Sequence, residues 1–559
     1  MKRIREIEIS DTPPSGDKLW LKPTEKGTDV MTMLNGKWNP VVEAGGCALS
    51  QNYAHYQDED VKSVEATSDN TIGILSAISA YQGCPNLTSV RVAKSSYTSL
   101  IVANSMFHGC SSLETVEISS GALHPLRVAL RMFADCAKLK TFRYILDYDN
   151  DDIYGTEQKH ALEIVDAFNM FYKCSSLETV DARLLPNLTS AFQMFYLCKN
   201  LKDAKIEFLP NLVMGRSMFY GCNNLTEFKV TELPNLVSGP SMFYGCNNLT
   251  NVAIESLPNL VSGRSMFCYC NNLTEFKVTE LPKLETAEWM FDNTLNIKQF
   301  NLSLPSVKSL HGVFYIEPDS LGKSKTEAIV LSNLPDNLTD LSWMVYGQTN
   351  LSTFSHPKGS FKNVKAAVSA FNHCRMLKSL DLGDGDFAEL VVGSWAFKEL
   401  YLIEELSFSE GTRKLETAEE MFSQDQALKS IKGLNLSNLV LSASSISPYL
   451  ESWWNEHESS GNYSYFDCAK NMFKQCDALV DCVLEGTLYK SDVDLRPCVS
   501  LNEESLKSWV NALYDWDANL ENKETDDTDH VLFLTESQQA IVGDDMIIEA
   551  IEKGWTISE

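Results

Sequence analysis

The nine residues MFYGCNNLT, from Met218 to Thr226, decide the fold, because they return unchanged from Met242 to Thr250. A third copy, MFCYCNNLT from Met266 to Thr274, differs at two positions. Each copy begins 24 residues after the one before it. A fixed period of about 20–50 residues is typical of stacked repeat architectures, so the period is the first property to interpret.

The Met-Phe pair that opens this stretch recurs, intact or degenerate, fifteen times between Tyr81 and Phe473. Counted from the Phe as position 0, a Leu or Ile usually falls at +6, and apolar residues usually fall at +9 and +11. This L-x-x-L-x-L spacing is typical of leucine-rich repeats. The pair at +9 and +11 predicts a short strand, and the Met-Phe pair is predicted to begin the return side as a short helical or 3₁₀ turn.

One repeat cannot bury its apolar residues alone, so the repeats are predicted to stack on one another. We predict a repeat solenoid of the leucine-rich-repeat kind, with about fifteen coils of ~24 residues, mostly short β-strands with 3₁₀ or short helices. The solenoid is predicted to span 47–498, with insertions at about 147–160 and 442–468. A small N-terminal β module (1–46) and an α/β C-terminal cap (499–559) are predicted to flank it. In the cap, Thr535 with Gln538 predicts a capping box that opens a single helix ending at Gly554.

The charge of the chain excludes two classes of partner. The 559 residues carry a formal net charge of −28, and the segment 501–559 alone holds 15 acidic against 3 basic residues. Nucleic acid and anionic membrane surfaces need a cationic face, so neither is predicted as a partner. No run of about 20 apolar residues is present, so membrane insertion is not predicted either.

The N-terminal module is predicted to dock on another chain. Alternation over Lys18–Pro23 indicates a strand, and Asn35-Gly36 between two apolar runs indicates a hairpin. Three strands from a few dozen residues are marginal alone, which makes this an attachment module with Trp20 and Trp38 as its candidate contacts. The first residues lack the apolar core and cleavage site of a secretory signal, so assembly in the cytoplasm is expected.

The cysteines are predicted to be structural. Ten of the fifteen occupy position +3 of a repeat, where stacking would align them in a ladder. Free cysteine is a good small buried residue, so we predict a reduced ladder rather than disulfides. A zinc site would need four converging ligands, which the pattern does not supply, and no metal or cofactor is predicted.

Aromatic residues provide the candidate binding positions. Tyrosines at position +1 are predicted to form a stripe that either binds a partner or covers the Met-Phe ladder as a half-buried flank. The stripe consists of Tyr172, Tyr196, Tyr220 and Tyr244. The second insertion carries Trp453, Trp454, Tyr463 and Tyr465, and long aromatic loops on a rigid scaffold favour recognition. The alternative is a loop that packs over the side of the solenoid.

The first insertion carries a weak calcium motif, Asp147-x-Asp149-x-Asp151. It lacks the glycine expected at the sixth position and the glutamate expected at the twelfth. A solvated acidic loop is therefore the preferred interpretation.

The repeats from Met218 to Thr226 and from Met242 to Thr250 resemble the BspA-type leucine-rich repeats of bacterial surface proteins and of gut-bacterial phages. The resemblance covers residues 80–485. Gly16–Pro23 and Asn35–Trp38 are also similar to N-terminal attachment segments of gut-phage structural proteins, and 501–506 with 554–557 to the endings of phage-encoded repeat proteins.

The resemblance implies a non-enzymatic virion structural protein of the tail-fibre or receptor-binding type. Its N-terminal module would bind other virion proteins, and its solenoid would bind a host surface glycan or protein. A module that docks on a particle is compatible with a homo-oligomer. The alternatives are a bacterial cell-surface adhesin and, more remotely, a surface glycosidase with two carboxylates about 5–10 Å apart. No HExxH, GxSxG, P-loop or dinucleotide motif is present, so catalysis is not predicted.

Overall fold

A computed structural model divides the chain into two compact units, Met1–Leu260 (unit 1) and Val261–Glu559 (unit 2). The residues that it describes are 6–9, 18–24, 27–34, 37–40, 51–71, 73–119, 122–123, 125–145, 163–180, 185, 187–206, 208–439, 447–457, 469–489, 493–518 and 530–559.

Unit 1 contains eleven described strands and one short helix. They are β1 (Glu6–Ile9), β2 (Lys18–Thr24), β3 (Gly27–Leu34), β4 (Lys37–Pro40), β5 (Ser63–Ala66), α1 (Ser68–Thr71), β6 (Ser89–Val92), β7 (Thr115–Ser119), β8 (Thr141–Ile145), β9 (Thr179–Val180), β10 (Glu227–Phe228) and β11 (Asn251–Val252). Strands β5–β9 form one parallel sheet and β10 pairs with β11, so successive repeats add neighbouring parallel strands.

Unit 2 repeats this arrangement and ends in an α/β segment. Its elements are β12 (Gln299–Ser303), a 3₁₀ turn (Pro318–Ser320), β13 (Ala328–Ser332), β14 (Thr353–Ser355), β15 (Glu405–Ser407), β16 (Ser430–Asn435), α2 (Pro448–His457), β17 (Asp481–Glu485), α3 (Glu503–Asn511), β18 (Val531–Phe533), α4 (Glu536–Val542), α5 (Asp544–Glu552) and β19 (Thr556–Ser558). The sheets β12-β13-β14, β15-β16-β17 and β18-β19 are all parallel. The predicted solenoid fold is confirmed in both units.

The described coils number about 17, two more than the fifteen predicted. In the first additional coil His55 takes the place of the Phe, and its ring stacks on Tyr81 at 5.1 Å. In the last, Leu495 takes that place, and the amides of Cys498 and Leu501 make the turn bonds of the other repeats. A search anchored on Phe misses both coils.

The Met-Phe side of each coil differs from the predicted helical or 3₁₀ turn. Alternate amides point in different directions: Tyr81 and Gly83 donate to carbonyls of the next coil, whereas Gln82 and Cys84 donate to carbonyls three residues back. This alternation places residues at −2 and +2 in the left-handed region in most coils, for example Ser79 at φ 50°. Each coil therefore bonds to its neighbour on this side as well as through its strand.

The core is a column of stacked Phe rings. In unit 1 the ring of Phe219 lies 5.2 Å from Phe195 and 5.6 Å from Phe243, with interplanar angles of 12° and 3°. Phe228, from strand position +9, meets both Phe219 and Phe243 edge to face. The leucines at +6 close the column, so nearly every apolar repeat position is buried.

The predicted cysteine ladder is present at position +3, which eleven of the thirteen cysteines in the described part of the chain occupy, counting Cys498 in the last coil. All thirteen are buried and lie outside disulfides. In both units the thiol at +3 donates to the carbonyl at position 0 of an earlier coil, over 2.9–3.3 Å. Thr294 and Gln348 replace cysteine in two coils and donate to the equivalent carbonyls. The ladder position therefore selects a small or slender buried donor.

We expect these thirteen thiols to resist alkylation in the folded chain. All thirteen are buried, and burial raises the pKa of Cys110 and of Cys482 to about 12, so neither a thiolate nor solvent access is available to the reagent at neutral pH. Iodoacetamide followed by peptide mapping should find them unmodified at pH 7 and fully modified in guanidinium chloride. Rapid alkylation of Cys222 in the folded chain would contradict the ladder.

Asp425 interrupts the ladder with a buried carboxyl group. It occupies position +3 of its coil and accepts a hydrogen bond from the amide of Leu400 at 2.8 Å through Oδ1. Its Oδ2 is buried with no hydrogen-bond partner among the described residues. Burial raises the pKa of Asp425 well above its usual range.

Asp425→Asn is expected to flatten the pH dependence of stability. The folded chain retains a proton that the unfolded chain releases, so this contribution is complete below the unfolded pKa of about 3.9. It is lost as pH rises from there through the raised folded pKa, by about 1.4 kcal/mol per pH unit at most. Denaturant unfolding between pH 4 and 8 measures the slope. Asp336→Asn, at an exposed carboxylate, is the control, and equal slopes in all three proteins would contradict this role of Asp425.

The terminal modules show both agreement and difference. Strand β3 pairs antiparallel with β4 in the register Leu34 to Lys37, as the predicted hairpin requires, and β1 adds a fourth, parallel strand. Thr535 and Gln538 form the predicted capping box. The single helix expected after it is two helices, because Gly543 with φ 92° separates α4 from α5. The predicted domain boundaries and the attachment role stay predictions.

Candidate binding surface

The predicted tyrosine stripe is a continuous stack at one edge of unit 1, called here the tyrosine edge (Tyr172, Tyr196, Tyr220, Tyr244). Neighbouring rings lie 4.6–5.1 Å apart, with interplanar angles of 2–16°. All four side chains are half-buried. Because the rings stack on one another, their faces inside the stack are already occupied and cannot stack on sugar rings. The edge presents ring edges and hydroxyl groups, and its binding role stays a prediction.

A second ladder runs just before the Met-Phe pairs, where one residue of each coil forms a parallel β-bridge to the equivalent residue of the next coil. In unit 1 it runs Ser76, Val102, Val128, Asp166, Ser190, Met214 and Ser238, and all its bridges are parallel. These residues occupy position −5. Together with the residues at −6 and −3 they form what we call the ladder flank of each unit.

In unit 2, helix α2 of the second insertion covers the ladder flank. Leu450 and Trp453 pack on the flank residues Ala366, Val368, Val391 and Val392, with Tyr449, Trp343 and Trp395 around them. The ring of Trp453 lies 6.3 Å from that of Trp343, at 17°.

Charged flank residues hold this helix in place. The carboxylate of Glu416 accepts a hydrogen bond from the amide of Ser447 at 3.2 Å, directly before the helix begins. The ammonium group of Lys365 lies 5.2 Å from the centroid of the Tyr449 ring. The flank of unit 2 is therefore a helix-binding surface whose occupant is the chain itself.

In unit 1 the same flank stays open over three coils. Val213, Met214 and Val237 are 37%, 44% and 39% exposed, although they are apolar. They adjoin Phe192, which stacks on Phe168 at 5.1 Å, and the guanidinium group of Arg216 lies 5.8 Å from the Phe192 ring. The sequence-based predictions did not include this patch, because apolar residues also occupy positions −6 and −5 in other repeats, for example Ile101 and Val128.

The sequence pattern of the BspA-type leucine-rich-repeat region matches residues 51–150, 164–238, 189–317 and 323–445, in six copies. These ranges cover more than half of the chain. The chain belongs to the BspA-type leucine-rich-repeat family. Leucine-rich-repeat solenoids generally mediate protein–protein binding, and they are typically non-enzymatic scaffolds.

Two solved structures of leucine-rich-repeat proteins are similar to this BspA-type chain. A leucine-rich-repeat protein from Bacteroides ovatus is 17% identical, with a TM-score of 0.29, covering 64% of this chain and 94% of that one. A leucine-rich cell surface protein from Faecalibacterium prausnitzii is 16% identical, with a TM-score of 0.27, covering 72% and 80%. No curated protein sequence matches the chain significantly.

The remaining predicted site residues of the BspA-type chain divide into three groups. Trp453 is described and is 5% exposed, so its side chain belongs to the packing of α2 on the solenoid. Trp20 on β2, Trp38 on β4 and Trp454 on α2 are described in their backbone only. Five further candidates lie outside the described residues, namely Asp147, Asp149, Asp151, Tyr463 and Tyr465. Their predicted binding roles stay predictions.

A buried ion cluster lies in unit 2 at positions +2 and +4. Glu399 meets the Nδ1 atom of His373 at 2.7 Å and accepts bonds from Arg375 at 2.7 and 3.0 Å and from the Tyr401 hydroxyl at 3.2 Å. Burial opposes ionisation of Glu399, but the bonds from His373 and Arg375 outweigh it and lower its pKa to about 2. A carboxylate engaged by three side chains serves as a structural anchor.

No metal site and no membrane span stand out in the described ranges. Three or more His, Cys, Asp or Glu side chains do not converge anywhere among them. None of the helices that the structure describes is long and apolar enough to cross a membrane.

Proposed function

We infer that this BspA-type chain is a non-enzymatic virion protein of a gut-bacterial phage. The N-terminal sheet β1–β4 would bind other virion proteins, and the repeat units would bind a protein or glycan of the host surface. The observation that carries this proposal is that all thirteen described cysteines are buried outside disulfides, eleven of them in the ladder at position +3.

The thiol ladder supports folding in a reducing compartment. Disulfides form and persist in oxidising surroundings, and cytosolic chains keep their thiols reduced. Here the thiols at +3 serve as hydrogen-bond donors, for example from Cys222 to the Phe195 carbonyl at 3.1 Å. A misplaced disulfide between neighbouring coils would remove two of these donors. Virion proteins fold in the host cytoplasm before lysis, where this hazard is small.

The N-terminal sheet supports an anchoring role. Its four short strands come from residues 6–40, and small sheets of this kind need further packing partners to be stable. Strands β1 and β4 form its two edges, and an exposed strand edge can pair with a strand of another chain. Docking on a particle would supply both the packing and the strand partner.

The partner of the repeat units is expected to be a protein or a glycan rather than a polyanion. The net charge of −28 disfavours nucleic acid and anionic lipid. Outward residues of neighbouring strands form pairs of opposite charge, as in the pairs of Arg91 with Glu65 and of Arg143 with Glu117. Such pairs contribute little stability in solvent, so the strand face is free to vary with the partner.

Particle fractionation tests the proposal. A lysate of a culture that produces the protein is banded on a density gradient and immunoblotted for this chain and for a major capsid protein. We expect both signals in the intact-particle band. A signal that sediments with the cell envelope and is absent from particles would overturn the virion proposal and favour the surface adhesin.

A further inference from the structure

We propose that the open ladder flank of unit 1 is a docking site for an acidic, aromatic amphipathic helix of another protein. The inference concerns this flank alone, goes beyond the virion proposal and does not depend on it.

The flanks of the two units are equivalent in repeat position and in backbone hydrogen bonding. Positions −6, −5 and −3 of three successive coils form each surface, and the coils are joined by the same hydrogen bonds. In unit 1 the Val213 carbonyl accepts from Val237 at 3.0 Å, and in unit 2 the Lys365 carbonyl accepts from Val391 at 2.9 Å. The backbone of unit 1 therefore repeats the platform on which α2 lies in unit 2.

The two platforms differ in whether a helix covers them. In unit 2 the apolar flank residues are buried beneath Leu450 and Trp453. In unit 1 Val213, Met214 and Val237 remain exposed, on neighbouring coils of one ladder. Contiguous exposed apolar residues bordered by polar ones are typical of interaction sites.

The occupant of the unit 1 flank is expected to carry large aromatic side chains. At position −2 unit 2 carries Trp343 and Trp395, which surround the docked helix. Unit 1 carries small or polar residues there, Gln193, Ser217 and Ser241. An occupant of unit 1 must therefore bring its own large rings to fill the same space, as α2 does with Tyr449 and Trp453.

The open flank of unit 1 carries a positive charge. The three open coils place nine residues on the flank, and Arg216 is the one charged residue among them. The nine are Thr189, Ser190, Phe192, Val213, Met214, Arg216, Val237, Ser238 and Pro240. In a chain with a net charge of −28 this patch is locally cationic, which suits an acidic occupant. Arg216 can meet its carboxylates or, as Lys365 does with Tyr449, one of its rings.

A second copy of the chain is a poorer occupant on the same grounds. Its own aromatic helix α2 is already buried in unit 2, and its overall charge opposes close approach of two copies. The partner is thus a different protein that presents an aromatic helix similar to α2.

The probe for the test is a helix-bridged, fluorescent peptide with the sequence of residues 447–457, SPYLESWWNEH, which includes α2 and packs on the equivalent flank positions of unit 2. It is titrated onto the full chain by fluorescence anisotropy. We expect saturable binding that Met214→Lys weakens by about tenfold or more, because a charge then lies at the centre of the patch. Met376→Lys, at a methionine 46% exposed in unit 2, is the matched control and should bind like the wild type.

Three results would overturn the proposal: no saturable binding to the wild type, equal weakening by Met214→Lys and Met376→Lys, or binding insensitive to both. A fourth is a dimer in size-exclusion chromatography that Met214→Lys dissociates, since the occupant would then be a second copy. Circular dichroism of both variants confirms the fold, which substitution at exposed positions should leave intact. The density gradient result does not bear on any of these outcomes.

Discussion

Replacing Phe219 by alanine is expected to lower the free energy of unfolding of unit 1 by about 3–5 kcal/mol, the usual range for a fully buried Phe. The ring lies between those of Phe195 and Phe243 and meets Phe228 edge to face, so its removal takes a member out of a continuous stack. The cavity cannot collapse easily, because the coils on both sides are fixed by hydrogen bonds on two sides.

Hydrogen exchange measured by mass spectrometry locates this effect. Peptides covering residues 194–250 should exchange faster in Phe219→Ala, with smaller changes farther along the stack, because each repeat contacts only its neighbours. The matched control is Phe208→Ala, at a phenylalanine 55% exposed, which should change stability by about 0.5 kcal/mol or less. Similar exchange in the two variants would show that the Phe column is not the core of unit 1.

Gly433→Ala is expected to destabilise unit 2 by about 3–5 kcal/mol, through backbone strain and overpacking together. Gly433 lies in β16 with φ 72°, where the register with β17 shifts. A Cβ atom at this position would lie 2.1 Å from the carbonyl oxygen of Phe408. That oxygen belongs to the backbone of the preceding coil, so it cannot move aside without breaking the ladder.

Gly322→Ala separates the two causes. Gly322 has a similar φ of 79°, but nothing lies within 4 Å of the position of its Cβ. Its substitution should cost about 1–2 kcal/mol from the left-handed conformation alone. Denaturant unfolding of the two variants then gives the steric part by difference. Equal losses would mean that the coil of Phe408 yields to the extra methyl group.

The strand positions, the Phe column and the thiol ladder could be predicted because each depends on a strict period. A residue such as Cys222 recurs every 24 positions, and only stacking gives that regularity a physical purpose. The coils of His55 and Leu495 could not be found in this way, since they keep the backbone bonds and lose the Phe. The backbone hydrogen bonds define the coil, and a side chain other than Phe can occupy the core position.

The candidate surfaces were harder to predict for a different reason. Val213 occupies position −6, which is apolar in several repeats, and Trp453 lies in an insertion, but the period does not show which of the two is covered. Trp453 was predicted as a recognition residue, and it lies buried because the insertion forms a helix that packs back on the flank. Val213 and Met214 were not predicted as binding residues, yet they are exposed. Contacts between distant segments, here α2 and the flank, decide the difference.

Neighbouring coils are hydrogen-bonded both through their strands and on the Met-Phe side, and this affects how the number of repeats can change during evolution. An in-frame deletion that joins Met218 directly to Phe243 would remove one period and leave every remaining ladder position facing its equivalent. Recombination between the nearly identical copies in this region would produce that product, or its lengthened counterpart, without any new folding problem. Surfaces that extend across several coils can therefore be shortened, extended or renewed in whole steps, while the ends of the chain and whatever they hold stay unchanged.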